Sequence, residues 1–158
     1  MDVTRRQALK TGGGAALLGA LFAAGFLKPQ DARAAAAGWN EAAFAGKTMD
    51  ETLKAIGAGK PSQSTSIMLT APDIAENGAV VPVTVQSSLP NTESIAILIE
   101  KNPNTLAASF NLPSGTEPLV GTRVKMGETS NVYALVKADG KYYTAVKEIK
   151  VTLGGCGG

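Results

Sequence analysis

The chain has 158 residues, with 15 Lys and Arg, 13 Asp and Glu, one Cys and no His. The missing histidines exclude His-based triads, His metal sites and His general bases, and a single Cys excludes an intramolecular disulfide and any Cys-cluster metal site. Charge is unevenly spread, with a net +3 over residues 1–37 and a net −1 over residues 38–158. The body therefore lacks the group of bases that phosphate backbones require, and nucleic acid is not an expected partner.

Residues 1–37 read as an address rather than as part of a fold. A basic start, Thr4-Arg5-Arg6-Gln7-Ala8-Leu9-Lys10, leads into a Gly- and Ala-rich apolar run from Gly12 to Leu27 that closes at Lys28-Pro29. The stretch Ala32-Arg33-Ala34-Ala35-Ala36-Ala37 then supplies small-residue cleavage options. Adjacent arginines before a weakly hydrophobic core mark the twin-arginine (Tat) export route, although Ala8 stands where an aromatic is usual. The run has sixteen residues, short of the roughly 18–20 that span a bilayer, so no stable membrane anchor is expected. The reading is a Tat signal peptide over 1–37, export to the periplasm, and a mature chain that starts between Ala35 and Gly38.

The body, 38–153, is long enough for one hydrophobic core. Its start looks helical. A turn is expected around Trp39 to Phe44, and then Thr48-Met49-Asp50-Glu51 has the spacing of a capping box, with Met49, Leu53 and Ile56 on one face and Gly57 as the stop. After Pro61 the period changes to 2. Seven strands are expected: Ser64–Leu69, Val80–Gln86, Ser94–Glu100, Thr105–Asn111, Leu119–Met126, Asn131–Lys137 and Lys141–Thr152. Turn residues separate them, notably Asn77-Gly78, Asn102-Pro103-Asn104 and Asp139-Gly140, and the last is the strongest hairpin signal. Pro82 within a Val-rich run points to an edge strand or a bulge. The unbroken run Ile95-Ala96-Ile97-Leu98-Ile99 implies a strand covered on both faces, in a core or at a subunit contact. Seven short strands at regular spacing predict an all-β, immunoglobulin-like sandwich with a short N-terminal helical region.

The chemistry is concentrated after the last strand. The sole sulfhydryl, Cys156, stands among Gly154, Gly155, Gly157 and Gly158. Glycine has no Cβ and visits both signs of φ, so this segment reads as a flexible arm with a thiol near its end. No base, helix terminus or cation is close enough in sequence to activate the sulfur, since Lys150 is six residues back, and a thiol without such help stays mostly protonated at neutral pH. Cys156 is therefore built as a passive attachment point whose adduct is presented to catalysts on other proteins. The narrow flanks suit entry into a channel. The body offers no rival site: its carboxylates, Glu76, Glu93, Glu100, Glu117 and Glu128, are scattered, and no phosphate-cradling loop is present.

A twin-arginine leader, an all-β domain of this size and the closing Val151-Thr152-Leu153-Gly154-Gly155-Cys156-Gly157-Gly158 closely resemble the SoxY family, the sulfur-carrier subunits of the bacterial thiosulfate-oxidising (Sox) system. The resemblance implies a non-enzymatic carrier without a resident cofactor, holding sulfur intermediates covalently on Cys156, with the four glycines as a swinging arm. It also implies a heterodimer with a SoxZ-like subunit. The implied enzymatic partners are a c-type cytochrome that conjugates thiosulfate, a dimanganese hydrolase that releases sulfate, and a molybdenum–haem sulfane dehydrogenase.

Two other readings of the residues stay open at this point. One is a structural periplasmic module dimerised by a Cys156–Cys156 disulfide. The other is a thiocarboxylate carrier of the ubiquitin-like kind ending at Gly157-Gly158. The Ile95–Ile99 strand is an expected contact surface for a partner.

Overall fold

The structure is a computed structural model that describes residues 40–152. The leader, Trp39, Leu153 and the arm at 154–158 lie outside these residues.

Two short helices come first. α1 (Glu41–Ala45) is capped by the Asn40 side chain, which accepts from the Ala43 N–H at 3.1 Å. In α2 (Met49–Ile56) the Thr48 hydroxyl accepts from the Glu51 N–H at 3.3 Å. The Glu51 carboxylate reaches back to the Lys47 N–H at 3.0 Å, one residue before the position a strict capping box uses. Gly57 ends α2 with φ at 80°, a conformation that favours glycine because it has no Cβ. The expected helical region is thus present.

Nine strands follow among the described residues: β1 (Ser62–Gln63), β2 (Ile67–Thr70), β3 (Ile74–Ala75), β4 (Val81–Ser87), β5 (Thr92–Ile99), β6 (Leu106–Asn111), β7 (Leu119–Val124), β8 (Ser130–Ala138) and β9 (Lys141–Val151). They form two sheets. One has the order β1-β9-β8-β5-β6 with β3 also on β9, and the other has the order β2-β4-β7. β1 to β4 alternate between the sheets, and the chain crosses again at β4 to β5, at β6 to β7 and at β7 to β8. The seven expected strands are all present within a few residues. The two additions, β1 and β3, are two residues each and pair in parallel with β9, too short to leave a period in the sequence.

The architecture is the all-β, immunoglobulin-like sandwich expected. Its core interleaves Val81, Val83 and Val85 from β4 with Ile95, Ile97 and Ile99 from β5 and Val132, Ala134 and Val136 from β8. The alternating pattern of β4 places one face inward and leaves Pro82, Thr84 and Gln86 toward solvent. Pro82 behaves as an edge residue within a central strand. β2 pairs with β4 only over residues 84–87, so at Pro82 a single neighbour, Arg123 of β7, lies alongside.

β5 is buried from Ile95 to Ile99 without a break. Its odd-numbered residues face the sandwich core, and Ala96 and Leu98 pack under the helices with Phe44, Met49, Leu53 and Ile56. The sequence left two covers open, a core or a subunit contact, and the helical pair supplies the second cover. The expectation of a partner surface at Ile95–Ile99 is corrected: these side chains are consumed inside the chain. The Asp139-Gly140 hairpin is as expected, with φ of 49° and 71° at its two central residues and Ala138 opposite Lys141.

Candidate functional site: the root of the C-terminal segment

β9 is the longest strand and the one that leads to Cys156. It starts at the Asp139-Gly140 turn, which the Glu93 carboxylate steadies by accepting from the Gly140 N–H at 2.8 Å while pairing with Lys137 at 2.6 Å. Hydrogen bonds from Lys137 and then from Gly140 hold the Glu93 carboxyl below the usual carboxylate range, and Glu93 in turn raises the Lys137 ammonium. Along β8 the register is continuous, from Ala138–Lys141 to Ser130–Ile149.

At the far end β8 has finished, and a different set of groups holds the last described residues. β3 lies beside β9 with Ile74 opposite Lys150 and Ala75 opposite Val151. The Lys150 N–H donates to the Asp73 carbonyl at 2.9 Å, and the Thr152 N–H donates to the Ala75 carbonyl at 3.2 Å. The Thr152 hydroxyl lies 3.5 Å from the Ala75 carbonyl and 3.4 Å from that of Glu76. On the other side the Val151 N–H donates to the Thr129 hydroxyl at 3.0 Å. The end of the strand is thus tied on both sides up to the residue before Leu153.

The segment 73–80 that does this is shaped by glycine and asparagine. The Asn77 side chain accepts from the Ala79 N–H at 2.9 Å, and the Asn77 carbonyl accepts from the Val80 N–H at 3.3 Å. Gly78 is buried against the strand end. A Cβ there would sit 2.5 Å from the Met126 carbonyl oxygen and 2.8 Å from Cγ1 of Val151, so only a residue without a side chain permits the approach. The Gly78 carbonyl accepts from the Met126 N–H at 2.7 Å, which joins this segment to the loop after β7. Asp73 pairs with Lys147 at 2.9 Å, and the hydrogen bond and charge of Lys147, with the charge of Lys150 behind, lower its carboxyl.

The predicted site residues Cys156, Gly154, Gly155, Gly157 and Gly158 lie outside the described residues, so the structure gives the frame from which they depart. Sequence reasoning read Asn77-Gly78 as a turn but missed β3, Thr129 and Thr152 as the fastening of the strand end. Two-residue parallel pairing and a lone threonine carry no signal in a single sequence. Elsewhere among the described residues, no group of three or more Asp, Glu or Cys gathers to hold a metal ion, and no helix is long and apolar enough to cross a membrane. A cleft of about 80 Å³ between α2 and the larger sheet is lined by Met49, Leu53, Pro61, Leu98, Tyr133, Leu135 and Thr144, and its surface is apolar. Burial, then the neighbouring Glu100 carboxylate, pushes the Tyr133 phenol up.

Comparison with known proteins bears on the end of the chain as well as on the fold. The family model for sulfur oxidation protein SoxY matches residues 53–156, about two-thirds of the sequence, and its last matched residue is the lone cysteine. The chain belongs to the SoxY family. A solved structure described as the sulfur carrier protein SoxY from Chlorobium limicola f thiosulfatophilum is 42% identical, with a TM-score of 0.56 over 63% of this chain and 93% of the other. A superoxide reductase (neelaredoxin) from Ignicoccus hospitalis is 20% identical, with a TM-score of 0.50 over 55% of this chain and 80% of its own, and it shares the fold alone. Among curated proteins no sequence matches. SoxY membership and the sandwich agree with the resemblance read from the sequence.

Proposed function

We propose that this SoxY-family chain is a covalent carrier of sulfur intermediates, with Cys156 as the attachment residue and Gly154, Gly155, Gly157 and Gly158 as its swinging arm. The observation that carries the reading is the extent of the family match, which runs through the strand end to Cys156, the only thiol in the chain. The 42% identical solved relative is described as a sulfur carrier, which supports the same role.

The chemistry follows from a thiol that nothing in sequence activates. Thiosulfate joins Cys156 when an external oxidant removes two electrons, a sulfur–sulfur bond forms and the thiol proton is released. Water then attacks the terminal sulfone, sulfate departs and a persulfide stays on the cysteine. Each step needs a catalyst that the carrier does not contain. The partners in this reading are a c-type cytochrome for conjugation, a dimanganese hydrolase for sulfate release and a molybdenum–haem dehydrogenase for the sulfane sulfur. A SoxZ-like subunit completes the heterodimer. The twin-arginine leader at Arg5-Arg6 places this cycle in the periplasm.

The body's contribution is positional. Fastening the chain as far as Thr152 leaves four residues to reach the sulfur, so the adduct is delivered from a fixed point rather than from a long drifting tail. The test is Cys156→Ser in a strain that relies on this protein for thiosulfate oxidation. Loss of thiosulfate-dependent growth with an unchanged melting curve is expected, and normal growth of the serine strain refutes the proposal.

A further inference from the structure

Asn77-Gly78 reads as a turn in the sequence, and neither the fold nor the carrier reading uses its side-chain chemistry. An asparagine loses its side-chain amide when the backbone nitrogen of the next residue attacks the side-chain carbonyl carbon. A side chain on that next residue hinders the attack, and glycine has none. The chain has seven asparagines, and the other six are followed by Glu41, Thr92, Pro103, Thr105, Leu112 and Val132. Asn77 alone precedes a glycine.

The fold presents this pair to water. Asn77 is exposed. Its Oδ1 accepts from the Ala79 N–H at 2.9 Å, which turns the side chain back along its own backbone, past the intervening Gly78 nitrogen. A donor on Oδ1 draws electron density from the carbonyl carbon. It also offsets the negative charge that gathers on this oxygen as a nitrogen adds to that carbon. What surrounds the turn leaves little slack for a change in its backbone. The Gly78 carbonyl accepts from the Met126 N–H at 2.7 Å, and a Cβ on Gly78 would stand 2.5 Å from the Met126 carbonyl oxygen and 2.8 Å from Cγ1 of Val151.

We propose that Asn77 is a site of spontaneous deamidation in the folded protein, and that the product loosens the fastening of the strand end. The Gly78 nitrogen bonds to the side-chain carbonyl carbon of Asn77 and gives up its proton, the side-chain amide leaves as ammonia, and a cyclic imide remains. Water then opens either carbonyl–nitrogen bond of the imide and restores the N–H, leaving aspartate or isoaspartate. Nothing is oxidised or reduced. Isoaspartate lengthens the backbone by one carbon. The longer backbone shifts the Gly78 carbonyl from the Met126 N–H and the Asn77 carbonyl from the Val80 N–H, and with them the adjoining Ala75 and Glu76 carbonyls that meet Thr152. The inference stands on the fold and is independent of the carrier reading.

The experiment keeps the purified full-length protein folded at neutral pH for weeks, well below its unfolding temperature. Isoaspartate is then mapped with an isoaspartate-specific methyltransferase and peptide mass. A sample held in urea and the variant Asn77→Asp, which has the charge of the product without its longer backbone, serve as comparisons. Isoaspartate should accumulate at position 77 of the folded protein and stay at background at the other six asparagines. In the fraction that carries it, amide exchange at Met126 and Thr152 should quicken about tenfold, while Ile97 exchanges as in fresh protein. Fresh Asn77→Asp should match fresh wild type at all three amides. Absence of isoaspartate from the folded protein overturns the proposal, and its presence in the urea sample would then show that the turn protects Asn77. Accumulation at several asparagines alike overturns it too. Isoaspartate at position 77 with unchanged exchange at Thr152 overturns the link to the strand end.

Discussion

β5 and β9 lie on either side of β8 in the same sheet, yet they are stabilised in different ways. β5 is enclosed: from Ile95 to Ile99 every side chain is buried, the sandwich core on one face and the two helices on the other. In β9 only Thr144 and Ile149 are buried, and its end depends on backbone and hydroxyl contacts from 73–80 and Thr129. The contrast separates two duties. One strand anchors the fold, and the other carries the chain to an end held by backbone and hydroxyl contacts.

The largest expected effect lies in β5. Ile97→Ala removes a fully buried side chain at the sandwich centre and should cost about 2–5 kcal/mol, lowering the urea midpoint with an unchanged slope. A loss well under this range would mean that β5 is not the enclosed element. The next is at the strand exit. Gly78→Ala pushes a Cβ against the Met126 carbonyl and Val151, and should cost roughly 1–3 kcal/mol as the segment 73–80 moves away, read by the same titration. Thr129→Ala withdraws the hydroxyl that accepts from Val151 and should cost about 0.5–1.5 kcal/mol, with faster amide exchange at Val151 but not at Ile97. Faster exchange at both would erase the distinction between the strands.

The smallest effect concerns the two exposed ion pairs near β9, Glu93–Lys137 and Asp73–Lys147. Both carboxyls are depressed, so their contribution is fully present above the unfolded carboxylate values and is lost as pH falls through the lower folded values. Lys137, raised by Glu93, contributes below the unfolded lysine value and loses this as pH climbs through its higher folded one. Glu93→Gln should therefore lower the melting temperature slightly at neutral pH and not at all in strong acid, with added salt shrinking the difference.

Much of the scaffold was legible in the sequence because it is written in side-chain patterns. The alternation Val81, Val83, Val85 announced a strand with one buried face, the run Ile95–Ile99 announced two covers, and Asp139-Gly140 announced its hairpin. The identity of the second cover was not legible, since a helix of the same chain and a partner surface demand the same apolar residues from a strand. β1 and β3 escaped because parallel pairs of two residues are made by backbone groups, which every sequence possesses. The same reason hid the fastening at Thr152. The thiol and its glycines were plain to read because Cys156 has no counterpart elsewhere in the chain.

The central claim is that sulfur travels bound to Cys156. Its most direct test is the intact mass of the protein isolated from cells oxidising thiosulfate, measured before and after treatment with a thiol reductant. The account predicts added sulfur or thiosulfate mass that maps to the peptide containing Cys156 and disappears on reduction. An unmodified thiol throughout oxidation, or an adduct mapped to another residue, would contradict it.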